Sequence, residues 1–386
     1  MLRLTIVTNN VYAFGGGEKW SLELAKRLAN RFKITVVNIH SKREPKRKTR
    51  EDIKKEYRLD NFELLDLYAT GLKSSAFGKE EYIFRIPHAR SAVALYKIIK
   101  NSDIVYQVSF NPVVFFYSLS FSKMLKKKFI FGVHNPVFFK IFQEENAGNK
   151  ALRFFLSQVR YFHVLNSYDF DLLKRNMPSA KIIKIPIFIT KNTKKVEINK
   201  MDFVVLYVGR LAKDQKGIDL LKKIIETVIS KNKEVRFHIV GAGGDGEDEV
   251  RQLAEKHHNS VKYLGFLNDR DMESEYAKAS LSILPSRYEG LPAVLIEAQL
   301  HGVPFVAFNV KGPTEIFKEK IQGNLVEPFD TDKFAYEILR YFVSWSKNKN
   351  DYLKTKIKIK KLTEQAYDER TVIEKMGRMF ENVTKQ

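Results

Sequence analysis

The strongest constraint on this chain is a pattern that runs through it twice, in which a short apolar segment of strand length is followed by a helical stretch and then by the next strand. Apolar runs at residues 2–8, 33–40, 62–68, 104–109, 128–134, 162–166 and 182–189 are separated by stretches of helical period, including 18–32 and 87–100. Such alternation predicts parallel sheets covered by helices, because a parallel crossover needs a dozen or more residues. A polar, Lys-rich stretch at 190–200 breaks the pattern and reads as a linker. Strands resume at 203–208, 236–240, 261–264, 281–284 and 305–308, and helical residues follow, with a last helix expected over 364–383. At 386 residues the chain is too long for one ordinary core. The expectation is an α/β protein of two doubly wound parallel sheets, residues 1–190 and 191–363, with residues 364–386 as a C-terminal helix.

No run approaches the ~20 apolar residues of a membrane span. Residues 112–121 come nearest and are interrupted by serines. The opening Met-Leu-Arg-Leu-Thr-Ile-Val-Thr reads as a strand rather than a signal peptide, so a cytoplasmic location is expected. Absence of cysteine excludes disulfides, thiolate chemistry and Cys-ligated metal. The net charge of +22 is uneven: residues 1–190 hold 33 Lys and Arg against 16 Asp and Glu, leaving +17 there and +5 in the remainder. The densest part lies at 41–58, followed by Lys123, Lys126, Lys127 and Lys128. A surface of this kind either attracts anionic lipid, a phosphorylated acceptor or nucleic acid, or is a solvated loop.

Ligands of open α/β sheets bind beyond the carboxyl ends of the strands, and four strand-to-helix turns here carry unusual residues. After the first strand comes Phe14-Gly15-Gly16-Gly17-Glu18-Lys19, either a backbone that a phosphate or sugar can approach closely or a flexible helix cap. It lacks the Gly-Lys-Ser/Thr ending of a P-loop. Gly209-Arg210 follows a strand of the second half and leads to Lys216-Gly217; a guanidinium can grip two phosphate oxygens, and Lys216 adds a mobile point charge. Gly241-Ala-Gly243-Gly-Asp-Gly246 fits the Gly-x-Gly-x-x-Gly spacing, but the next strand ends in no acid, which counts against a dinucleotide fold and leaves a turn beneath a nucleotide. The fourth turn, residues 285–304, sets Glu289 at a strand end and Glu297 about two helical turns into the next element. Pro292 suits that helix's first turn, and Gly302 and Pro304 its end. In the first half, His134-Asn135-Pro136 ends a strand; its histidine is either a donor to a sugar hydroxyl or structural. Three Asp-x-Asp triplets, at 169, 269 and 330, read as helix starts and turns rather than as metal-diphosphate sites.

The order of these turns resembles the retaining glycosyltransferases of family GT4. The resemblance runs along nearly the whole chain and is most specific at Glu289-Gly290-Leu291-Pro-Ala-Val-Leu-Ile-Glu297. It implies the GT-B fold of two facing Rossmann-like domains, and a catalytic set of Glu289, His134, Arg210 and Lys216. The implied donor contacts are Arg210 and Lys216 on the diphosphate, helped by amides of Gly16 and of the helix after Gly290, with Gly209, Gly241 and Leu291 around them. Glu297 would accept from ribose hydroxyls, while Glu289 and His134 would meet the transferred sugar. The last helix would cross back to brace the first domain. Where many relatives leave the first domain through an Asn-Gly-Val-Asp-like turn, this chain has Ile185-Pro186-Ile187-Phe188.

The expected function is therefore a retaining, metal-independent transfer of a sugar from a UDP- or GDP-sugar to a glycan or lipid-linked acceptor, with no cofactor and no essential metal. The basic first half would meet an anionic membrane surface, and Phe138, Phe139 and Phe142 would either insert there or pack in the core. A GT-B nucleotide-sugar epimerase or hydrolase is the alternative. A basic nucleic-acid-binding protein is the weaker one, since it leaves the glutamate pair and glycine turns without a role.

Overall fold

The computed structural model of the protein describes residues 1–13, 16–41, 44, 48–57, 59–74, 82–108, 110–135, 138–189 and 202–385. Several sequence-derived features lie outside the described residues: Phe14 and Gly15, Lys42, Arg43, Lys46, Arg47, Arg58, Pro136 and the expected linker at 190–200. The chain divides into two units, the first made of Met1–Ile187 and Arg370–Gln386 and the second of Phe188–Glu369.

Among the described residues the first unit holds eight strands: β1 (Arg3–Asn9), β2 (Lys33–His40), β3 (Glu63–Ser74), β4 (Tyr82–Pro87), β5 (Ile104–Gln107), β6 (Lys128–Val133), β7 (Tyr161–Val164) and β8 (Lys181–Lys184). Their order is β4-β3-β2-β1-β5-β6-β7-β8. Every pairing is parallel except β3 with β4, an antiparallel edge that the sequence reading missed by assigning Pro87 to a helix; that helix is Ala89–Lys100. The sheet is covered on both faces, so its central strands read as continuous apolar runs. Phe131, Phe162 and Phe115 lie in its core. Phe138 is 1% exposed in that same core, and Phe139 and Phe142 pack against it, so this trio is core packing and not a membrane-inserting cluster.

The second unit holds β9 (Phe203–Val208), β10 (Val235–Val240), β11 (Val261–Gly265), β12 (Leu281–Leu284), β13 (Phe305–Phe308) and β14 (Gly323–Val326), in the order β11-β10-β9-β12-β13-β14, all parallel. β14 reads Gly-Asn-Leu-Val and carries too little apolar signal to be found from sequence. Its core joins Phe203, Phe237, Ile283 and Phe308 to the helices Ile218–Lys231 and Thr331–Lys347.

The last helix is Glu369–Thr384 and starts five residues later than expected, because Lys349–Ala366 is a separate helix capped at Tyr367. It packs in the first unit: Phe380 meets Phe32 and Tyr106 edge-on, and Arg31 grips Glu381 through two nitrogens at 2.6 Å and Glu374 at 2.9 Å. No helix among the described residues is long and apolar enough to cross a membrane.

Candidate functional site

In the second unit the strand order reverses between β9 and β12, the position at which open α/β sheets leave a crevice beyond their carboxyl ends. Gly209 and Arg210 leave β9, and residues 285–289 leave β12, so motifs far apart in sequence emerge side by side. The glycines explain how the loops fit. Gly241 has φ +144°, and a Cβ there would overlap the Gly209 carbonyl oxygen. The Gly209 amide donates to Val240 O at 3.0 Å, and Leu211 N donates to Gly243 O at 2.8 Å. The Gly-x-Gly-x-x-Gly turn is thus packed on the Arg210 loop. Its Gly243 amide donates to Glu247 Oε2 at 2.8 Å, which puts a side-chain carboxylate where a dinucleotide phosphate would need a free donor.

Gly217, at φ +66°, presses against the Pro285 carbonyl and places Lys216 beneath the β12 turn. Lys216 Nζ donates to Glu289 Oε1 at 2.6 Å, and Ser286 Oγ donates to the same oxygen at 2.7 Å. With side chains 14% and 7% exposed, Lys216 and Glu289 form a sequestered ion pair. Lys216 is therefore not the mobile point charge expected from sequence, since Gly217 and Glu289 fix it. Arg287 braces the same corner by gripping Asp219 at 2.9 and 2.7 Å and donating to Lys213 O at 2.6 Å. Its guanidinium is the main cause holding the Asp219 carboxyl below the usual range. Gly312, at φ +100°, lets the loop after β13 close on the Glu289 Cβ.

Arg210 is exposed at the strand end, with Nη2 donating to Gln215 Oε1 at 2.7 Å and its carbonyl accepting from the Tyr207 hydroxyl at 2.9 Å. Burial, and secondarily Glu289, push the Tyr207 phenol up, so it stays a neutral donor. Gly290 and Leu291 are buried in the turn that leads to the helix Ala293–Leu300. Pro292 is this helix's N-cap rather than its first residue, so Glu297 stands just over one turn in, not two. Half-buried Glu297 accepts from the Tyr276 hydroxyl at 2.8 Å, and Gly302, at φ +74°, terminates the helix as expected. The three Asp-x-Asp triplets are used at helix starts: Asp169 and Asp271 receive the amide groups of Asn166 and Asn268, and Asp330 caps Lys333.

The first unit carries Gly16 and His134. Gly16 begins the helix Gly16–Leu28 and is exposed; a Cβ on Gly16 or Gly17 would meet nothing within 4 Å. Neither packing nor backbone strain demands glycine there. His134 follows β6, and its Nε2 lies 3.2 Å from the Tyr106 hydroxyl and 3.4 Å from His163 Nδ1. Its ring is 4.7 Å from that of Trp20. Burial, with His163 second, drives the His134 pKa well below 6.5, so the ring is neutral. Sequence reading at strand ends missed Tyr106, His163, Ser286, Arg287 and Asp219. A histidine inside the apolar run Tyr-Phe-His-Val was the available signal for His163.

Comparison with known proteins adds four findings. Residues 188–359 match the family model described as glycosyl transferases group 1. A 145-residue stretch, 37% of this chain, is 32% identical to an uncharacterized glycosyltransferase of Methanocaldococcus jannaschii and spans 36% of it. Another of 198 residues, 51% of this chain, is 27% identical to the poly(ribitol-phosphate) alpha-N-acetylglucosaminyltransferase of Staphylococcus aureus and spans 38% of it. The chain thus spans little more than a third of the length of these curated relatives. Among solved structures, HepE of Anabaena in complex with UDP superposes with a TM-score of 0.74 over 99% of this chain and 100% of that one, at 15% identity, a likeness of fold.

Proposed function

We propose, from the match of residues 188–359 to the glycosyl transferases group 1 and from the GT-B fold, that this chain transfers a sugar from a nucleoside-diphosphate sugar, UDP- or GDP-linked, with retention of configuration. The observation that carries the reading is an exposed Arg210 beside the sequestered Lys216–Glu289 pair at the adjoining ends of β9 and β12. As the glycosidic bond stretches, negative charge gathers on the leaving diphosphate. Arg210 and Lys216 supply fixed positive charge there without reorganising, which is where electrostatic preorganisation is effective. Glu289, on releasing part of its hold on Lys216, offers its carboxylate to the sugar's hydroxyls. Glu297, steadied by Tyr276, is suited to ribose hydroxyls. Retention itself rests on the family likeness.

Two fixed cations do the work that a divalent metal would do on the diphosphate, so the reaction is expected to need no metal. The reading is tested by thermal stabilisation with UDP, GDP and ADP and their sugar conjugates, with and without EDTA. A ligand at 100 times its dissociation constant adds about 2.7 kcal/mol. A shift with one nucleotide that survives EDTA supports it, and absence of any shift removes it. Conversion or hydrolysis of the donor without an acceptor would favour the epimerase reading instead.

For the acceptor, we infer a lipid-linked substrate at an anionic cytoplasmic membrane face. The first unit exposes Phe116 (42%), Met124 (63%) and Phe154 (63%) on the helices Pro112–Met124 and Ala147–Ser157. The two helices are joined by a Phe116–Phe155 ring contact at 5.1 Å and by Lys123 donating to Gln158 at 2.8 Å. Exposed Lys123, Lys126 and Lys150 flank this apolar face. Apolar side chains between lysines suit an interface of headgroups and acyl chains. Salt-sensitive cosedimentation with phosphatidylglycerol vesicles, lost in Phe116→Ser/Phe154→Ser, is the expected result, and equal binding by the variant would discard this surface.

A further inference from the structure

The histidine pair of the first unit is wired in one direction. His163 lies within β7 and is fully buried. Its Nε2 is 2.8 Å from the Ile185 carbonyl oxygen, which can only accept, so Nε2 carries the proton. In the neutral ring Nδ1 is then a bare acceptor, and the Tyr106 hydroxyl, 2.6 Å away, must donate to it. With its single proton committed, the phenolic oxygen can only accept from His134 Nε2 at 3.2 Å. The remaining contact, His134 Nε2 to His163 Nδ1 at 3.4 Å, demands the same direction, since the His163 nitrogen has no proton to give. The His134 Nε2 is thus a donor, and its Nδ1 is left without a proton.

The fold makes room for this arrangement. Gly132 interrupts the apolar run of β6 at a buried position, where a strand-interior glycine weakens the strand. A Cβ there would stand 2.8 Å from the Tyr106 hydroxyl. The Tyr106 ring is held edge-on by Trp20 and by Phe380 of the last helix. The titratable groups that meet the His134 ring include Tyr106 and His163.

We propose that Tyr106 and His163 are positioning residues that fix His134 as the neutral Nε2–H tautomer, so that it offers Nδ1 as a hydrogen-bond acceptor to a hydroxyl-bearing ligand. This deepens the transferase reading by making His134 an acceptor from a sugar hydroxyl, the reverse of the donor role expected from sequence. Burial keeps both rings neutral, His163 having its pKa lowered from 6.5 to about 4.

Long-range nitrogen–proton correlation spectra of the histidine side chains, recorded at pH 7 on the ligand-free protein and assigned with His134→Gln, test the wiring independently of any reaction. The expected result is a His134 with protonated Nε2 and pyridine-type Nδ1, and a mixed or inverted tautomer in Tyr106→Phe, which keeps the ring and removes only the hydroxyl. His134 carrying its proton on Nδ1 in the wild-type protein would overturn the proposal, as would a Tyr106→Phe spectrum identical to wild type. Should the transferase reading also hold, Tyr106→Phe lowers kcat/KM for sugar transfer by about 5-fold, the worth of one hydrogen bond, while binding of UDP alone is unchanged. His163→Gln, whose amide can accept and donate at once, restores most of what His163→Leu loses. A correct spectrum with no transferase activity would leave the tautomer standing and remove the sugar.

Discussion

In the second unit, Gly217, Gly241 and Gly244 are each pinned by positive φ and by a backbone atom that a Cβ would strike, whereas Gly16 and Gly17 of the first unit face open space. Similar glycine-rich turns at strand ends therefore answer to different physics. In the second unit glycine allows loops to pack on one another and so sets Arg210, Lys216 and Glu289 in place. In the first, no described residue requires it. The side chains differ in the same sense. Ionic groups gather at the strand ends of the second unit, and a neutral cluster of His163, Tyr106 and His134 lies in the first.

The contrast can be broken experimentally. Gly241→Ala combines backbone strain with overlap on the Gly209 carbonyl and should cost about 4 kcal/mol in urea unfolding of the second unit. Glu289→Gln leaves a sequestered Lys216 without its counter-charge and should cost about 3 kcal/mol; a loss under 1 kcal/mol would mean that the pair is held far more loosely than its 2.6 Å separation indicates. Arg210→Ala, at an exposed position, should leave stability within about 0.5 kcal/mol yet lower transfer about 100-fold. Full activity in that variant would withdraw the diphosphate assignment.

A smaller effect separates the neutral half. His163 has its pKa lowered from 6.5 to about 4 by burial, so the unfolded chain binds its proton more readily. Its contribution to stability is whole above pH 6.5, declines as pH falls towards 4, and is constant below. At about 1.4 kcal/mol per unit, the loss between pH 6.5 and pH 5 is about 2 kcal/mol. Unfolding of wild type and His163→Gln at pH 7 and pH 5 should show a loss smaller by about this amount in the variant, which keeps the slope due to buried His134. Smallest of all, Gly16→Ala should change stability by no more than about 0.5 kcal/mol. A loss comparable to that of Gly241→Ala would erase the distinction between the two glycine turns.

Much of the architecture was legible because apolar runs of strand length recur between helical stretches, and strands buried on both faces announce themselves by composition alone. β4 and β14 escaped because one is the outer strand of an antiparallel edge pair and the other begins Gly-Asn. The same weakness affected the phenylalanines: the sequence left Phe138, Phe139 and Phe142 open between surface and core, and the fold put them in or against the core and exposed Phe116 and Phe154 instead. A helical stretch this rich in apolar residues does not declare which of its faces is covered.

By itself the sequence determined two parallel α/β sheets, a basic first half, and the residues that stand at strand ends, because backbone periodicity and turn chemistry are local. Only the tertiary structure decided that Lys216 spends its charge on Glu289, that the Gly-x-Gly-x-x-Gly turn packs on another loop, and that His134 meets Tyr106 and His163. Those are pairings between residues that meet only when separate strands are laid side by side, and the direction of a hydrogen bond depends on every partner in its chain.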